Sequence, residues 1–169
     1  MTQCSKPYVS PPSFIADTML GKLARWMSIL GYDIVYAGLI EDDVLVEKAR
    51  ESGRVICTRD TRISRNWTDV DVFLIHSTKF WEQIQEVILS YPMDFSRTAF
   101  TRCSRCNVVI ERVEKSAVLH KLPPLVSQNQ EIIYQCPACG NLYWHASHVD
   151  HMRALLREHL GIDIVSPNP

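Results

Sequence analysis

The sequence predicts an α/β fold: a mostly parallel sheet covered by helices, followed by a small cysteine-bearing module. Three observations predict it. Short β-branched runs alternate with stretches of helical period through the first half of the chain, as βαβ units require. Four of the six cysteines fall in two CxxC pairs beyond that region. With 169 residues and 46% hydrophobic content, the chain can bury one core and carry a small appendage.

The elements follow in order. Residues 1–13, with Pro7, Pro11 and Pro12, read as a flexible leader. "SFIA" is a short buried strand. Met19, Leu20, Leu23, Met27 and Leu30 then recur at helical spacing, and Gly31 stands where that helix should stop. "DIVYA" (33–37) is a second strand. "DDVLVEKARES" opens on two acids and closes at Gly53, as a helix adapted to its dipole does. "RVICT" (54–58) and "DVFLIH" (71–76) are the third and fourth strands, and a helix is predicted over Lys79–Ser90 on Phe80, Ile84, Val87 and Ile88. The pattern changes after Pro92. The predicted organisation is therefore a leader over 1–13, an α/β domain over 14–95, a zinc ribbon with a closing amphipathic helix over 96–160, and a tail over 161–169.

Composition narrows the functional classes. Eighteen basic residues against nineteen acidic give a formal charge of −1, so a polyanion site must be a local patch rather than a global field. No run of about 18 apolar residues is present, and "MTQCSKPYVSPP" lacks the apolar centre of a signal peptide. A soluble cytoplasmic protein with no membrane partner is expected. In that reducing compartment paired cysteines point to metal rather than disulfides.

Parallel crossovers bring every strand's C-terminal end to one edge of the sheet, where open α/β proteins bind ligands. Asp17 ends the first strand, Asp42 and Asp43 open the second helix, and Asp60 follows the third strand in "ICTRD". All four carboxylates are thus expected at that edge. Clustered carboxylates repel unless a proton or metal neutralises them, and hard oxygen ligands suit Mg²⁺ or Mn²⁺. Such sites commonly hydrolyse phosphodiesters. The same residues also read as helix caps or first-turn acids, so the two readings stand side by side. Two rival sites fail on sequence. "MLGKLA" has Leu23 where a phosphate-binding loop needs Ser or Thr, and Met19 stands where a phosphoaspartate phosphatase needs its second Asp.

The cysteines give the strongest local signal. Cys103 and Cys106 are separated from Cys136 and Cys139 by 29 residues, and four thiolates complete a tetrahedral structural Zn²⁺ site. Asn107 and Gly140 follow the pairs at positions where a tight knuckle favours positive φ. "EIIYQ" and "NLYW" read as strands flanking the second knuckle. His145, His148 and His151 lie nearby but are surplus to a complete four-cysteine set. Cys57 reads as a small buried hydrophobe, Trp26 as core, and Cys4 as a free thiol.

"FIADTMLGKLARWMSILGYD", "DDVLVEKARESGRVICTRD" and "CPACGNLYWHASHVDHM" closely resemble the Mut-seven C-terminal (Mut7-C) ribonuclease family, over about Phe14 to Met152. The resemblance implies a PIN-like three-layer α/β domain in which acidic residues hold one or two divalent ions against an RNA phosphodiester. It matches Asp17, Asp42 and Asp60 to those acids, preferring Asp42 to Asp43 because it stands seven residues before Ala49. The chain departs from many PIN nucleases in having no acid between Asp60 and Asp69, and it has Ala146 where the family's tail motif has glycine. In this light Lys22 is expected to stabilise transition-state charge, with Arg25, Arg59, Arg62 and Arg65 contacting RNA phosphates. The plainer reading makes these cations a solvated surface that offsets the acids. The function expected is an Mg²⁺- or Mn²⁺-dependent ribonuclease whose zinc ribbon aids RNA binding. The alternatives are a non-catalytic RNA-binding or ribosome-associated adaptor and, third, a nuclease on single-stranded DNA.

Overall fold

The structure, a computed structural model, describes residues 11–164. Most of the expected leader, with Cys4 and Pro7, and most of the tail fall outside them. Four parallel strands, β1 (Phe14–Ala16), β2 (Ile34–Tyr36), β3 (Val55–Thr58) and β4 (Val72–Leu74), form a sheet in the order β2-β1-β3-β4. The inner strand β1 pairs Ile15 with Val35 on one side and with Ile56 on the other. Being covered on both faces, β1 is buried at all three positions and shows no polar alternation.

Helices cover both faces. Along β1 and β3, Phe14, Ala16, Val55 and Cys57 face a core shared with α1 (Gly21–Leu30) and α4 (Phe80–Ser90). Ile15 and Ile56 face the opposite core, formed with α2 (Asp42–Ser52) and the short α3 (Thr61–Asn66). These are the three layers expected of the α/β domain. Trp26 lies in the first core, packed edge-on against Phe80 and Trp81, and Cys57 is fully buried, with its thiol pushed up to about 12 by burial. The turn ending α1 requires glycine. Gly31 has φ of 101°, and a Cβ there would sit 2.3 Å from the Thr98 carbonyl oxygen.

Beyond α5 (Phe95–Thr98) the chain forms the cysteine module. Its antiparallel sheet joins β5 (Glu111–Val113), β6 (Ile133–Gln135) and β7 (Leu142–Tyr143), with the short helices α6 (Lys115–Val118) and α7 (Pro124–Asn129) between the first two strands. Asn107 and Gly140 have the positive φ expected of the knuckles, 59° and 73°. The closing helix α8 (Ser147–Leu160) places Val149 and Leu156 in the core of α1 and α4. His159 of α8 stacks on Trp81 of α4 with ring centres 4.3 Å apart. Among the described residues no helix is long and apolar enough to cross a membrane.

Candidate active site and metal centre

The acidic edge is assembled by the ends of β1 and β3. The β1 strand delivers Asp17, whose backbone N–H is fixed by the Cys57 carbonyl at 2.9 Å, and the residue is only 7% exposed. One carboxylate oxygen accepts the Thr18 N–H and caps the following 3₁₀ turn (Thr18–Leu20). The other accepts the Thr58 hydroxyl at 2.6 Å. That hydroxyl in turn accepts the Asp60 N–H at 2.9 Å. Thr58 is completely buried at the last position of β3, so it locks the two acidic loops in register.

Asp60 continues the chain of contacts. It caps α3 by accepting the Arg62 N–H at 2.8 Å, and its carboxylate also takes the Arg62 guanidinium. These side-chain and backbone bonds hold the Asp60 carboxyl below the usual Asp range. Arg62 Nη2 also comes within 4.0 Å of Asp42, in the first turn of α2. Asp17, Asp60 and Asp42 are therefore linked through Thr58 and Arg62. Asp43 instead accepts the backbone N–H of Val44. Asp69, the next acid after Asp60 along the chain, is held by Arg50.

The structure disposes of the predicted cations differently. Lys22 Nζ lies 3.9 Å from the centre of the Phe80 ring, a cation–π contact at the start of α4. Arg25 is exposed on α1, and Arg65 is exposed in the last turn of α3. Arg59 Nε is buried with no hydrogen-bond partner among the described residues. Tyr36 donates its hydroxyl to the Thr18 carbonyl at 2.8 Å, tying the end of β2 to the loop after Asp17. A Cβ on Gly21 would meet the Tyr36 ring at 3.0 Å, so the glycine makes room for it at the start of α1.

The four cysteines form the second centre. Their sulfurs all lie within 4.8 Å of one another, the only such group of His, Cys, Asp or Glu ligands among the described residues. Cys106 Sγ is 3.3 Å from Cys136 and 3.4 Å from Cys103, and Cys103 is 3.6 Å from Cys139. Tetrahedral Zn–S bonds of about 2.3 Å place sulfurs about 3.8 Å apart, so the four could bind zinc. Burial raises the Cys103 thiol, but donation from the Tyr143 hydroxyl at 3.0 Å and from backbone N–H groups outweighs it and brings the thiol to about 6. The hydrogen bond with Cys136 pushes Cys106 up to about 12. His145, His148 and His151 are exposed, and His145 pairs with Asp150 at 3.0 Å.

Sequence reasoning missed Thr58 and the side chain of Asn107. Thr58 had a visible signal, a hydroxyl ending a buried strand just before an acid. Asn107 had only its place after a cysteine pair. Its buried amide accepts the Ile34 N–H at 3.0 Å and donates to Ser28 Oγ at 2.8 Å and the Tyr32 carbonyl at 3.0 Å.

A family model described as the Mut7-C RNAse domain matches residues 12–156, which include the acidic edge and all four clustered cysteines. No curated protein and no solved structure matches the chain significantly.

Proposed function

We propose, from the premise that the chain belongs to the Mut7-C RNase domain family, that it hydrolyses RNA phosphodiesters at the acidic edge with Mg²⁺ or Mn²⁺. The observation that carries this reading is the buried carboxylate of Asp17, joined through Thr58 to Asp60 at the C-terminal ends of the two inner strands. Hydroxyl-oriented carboxylates are the hard donor set that suits these ions, so Asp17, Asp42 and Asp60 would hold the metal. A bound ion would supply Lewis-acid activation of water and of the phosphodiester. The protein's own part is positioning. Thr58 fixes the Asp17 carboxylate, and the half-buried Arg59, next to Asp60 in the chain, would offer its guanidinium to a phosphate oxygen. Lys22 is tethered over Phe80 and would offset phosphate charge beside the reacting group. The four cysteines would hold a structural zinc that stabilises the RNA-binding ribbon.

One observation favours a second reading. Arg62 already neutralises Asp60 and approaches Asp42, as it would in a non-catalytic RNA adaptor that needs no metal there. Asp17→Asn separates the two, because Asn caps a helix about as well as Asp while removing the charge. For a nuclease, cleavage of generic single-stranded RNA in Mn²⁺ should fall at least about a hundredfold while RNA binding persists. In either reading the melting temperature falls modestly, because Asn keeps only one of the two acceptors that Thr18 and Thr58 use. RNA binding with no cleavage by the parent protein, across several RNAs, would select the adaptor.

A further inference from the structure

Two adjoining clefts run from the acidic edge to the cysteine module. The first, about 380 Å³, lies between α1 and the first knuckle, with Gly21 and Tyr36 at one end and Ser104, Arg105 and Asn107 at the other. Its Tyr36 end is the one hydrogen-bonded to Thr18, next to Asp17. The second, about 350 Å³, shares Arg25 and Ser104 with the first and opens among Phe100, Tyr143, Trp144, His148 and His151. The two therefore meet at Arg25.

Their chemistry points one way. In a chain of net charge −1, no Asp or Glu lines either cleft among the described residues. Arg50, Arg54, Arg62 and Arg157 all pair with carboxylates, and Arg102 spends its guanidinium on the Gly31 and Asn107 carbonyls. Arg25 and Arg105, both exposed, make no ion pair among the described residues. Two uncommitted guanidinium groups followed by two half-exposed aromatic side chains, Tyr143 and Trp144, suit alternating phosphates and bases. Single-strand binders grip the backbone electrostatically and receive unstacked bases on aromatic faces.

We infer that these clefts are a track for single-stranded RNA flanking the scissile phosphate, with Arg25 and Arg105 on phosphates and one unstacked base against Tyr143 and Trp144. The inference rests on the ribonuclease reading only for where the track leads. A duplex cannot present a free base to the second cleft, so the track selects unpaired flanks.

The test uses full-length, zinc-loaded protein carrying Asp17→Asn and an oligouridylate of about 12 nucleotides, a length single-strand grooves hold. Adding Arg25→Ala and Arg105→Ala should weaken binding about 10- to 100-fold. It should also flatten the slope of log K against log salt by about 1.4, at about 0.7 per single-strand phosphate contact. Arg25→Lys with Arg105→Lys should restore the slope, since a point charge satisfies counterion release. A 4-thiouridine probe should crosslink within residues 141–152. An unchanged salt slope, crosslinks confined elsewhere, or no RNA binding at all would each overturn the track. Failures of the two readings are distinguishable. A parent protein that cleaves RNA while the double variant keeps its slope loses the track and keeps the nuclease. A parent that cleaves nothing while the double variant loses its slope keeps the track and loses the nuclease.

Discussion

Arg62 stands between two carboxylates, and its removal reports what that edge is built to hold. Its guanidinium meets Asp60 and comes within 4.0 Å of Asp42, yet most of its side chain is exposed. It is thus a cation that a divalent ion could displace. Arg62→Ala should strengthen Mn²⁺ binding several-fold by calorimetry, because the metal no longer competes with a tethered charge. Weaker Mn²⁺ binding would instead make Arg62 a positioning residue. The same variant carries a pH signature. Asp60 is held below its ordinary range by Arg62, so its contribution to stability is full above the unfolded value of about 3.9 and is lost as pH falls through the lowered folded value. Parent and variant should therefore differ in stability at neutral pH and converge below about pH 4, as urea titrations would show. Asp17 and Asp60 were legible as site candidates because strand ends in a parallel sheet share an edge. The links between them were not, since neither the Thr58 hydroxyl nor the reach of Arg62 is written in residue order. Lys22 shows the same limit: helical spacing placed it beyond Asp17, and only packing shows its ammonium over Phe80.

Among elements, the first knuckle and β2 make a joint that depends on one side chain. Asn107 adopts positive φ and spends its amide on the β2 backbone and α1, from 73 to 79 residues away in sequence. Asn107→Gly keeps the backbone conformation and deletes all three bonds. The Ile34 N–H then loses its acceptor in a buried joint, so the change should cost about 1–3 kcal/mol in urea unfolding. A loss below about 1 kcal/mol would show that water replaces the amide. The left-handed turn was legible from the residue type after a cysteine pair, but the side-chain bonds span too much sequence to be read. The long helices α1 and α4 were legible from their period, and α2 from its opening acids and the glycine that ends it. The short α6 and α7, of 4 and 6 residues, are too brief for any period to show. Amphipathicity predicted α8, but it cannot name the partner, which is the face of α1 and α4.

The whole molecule follows from that return. The cysteine module is enclosed in sequence between α5 and α8, and its two ends are anchored on the same α/β body. Ala99, Phe100, Val149 and Leu156 all belong to the core of α1 and α4, and Arg102 bonds the Gly31 carbonyl at 2.9 Å. A module held at both ends and stitched through Asn107 should not melt alone. The chain is therefore expected to carry one zinc. Its removal by chelator, or by Cys136→Ser, should lower the melting temperature of the entire protein in a single transition. Zinc binding contributes directly to folding free energy, and loss of about 2 kcal/mol shifts a domain of this size by roughly 4–8 °C. The check is calorimetry beside near-ultraviolet dichroism, which reports the environments of Trp26 and Trp81 in the α/β body and of Trp144 in the module. Coincident transitions with and without zinc, both lower in its absence, support one cooperative unit. Two separate transitions after chelation, with the upper one at the parent temperature, would show that the α/β body stands without its ribbon and that the joint at Asn107 transmits nothing.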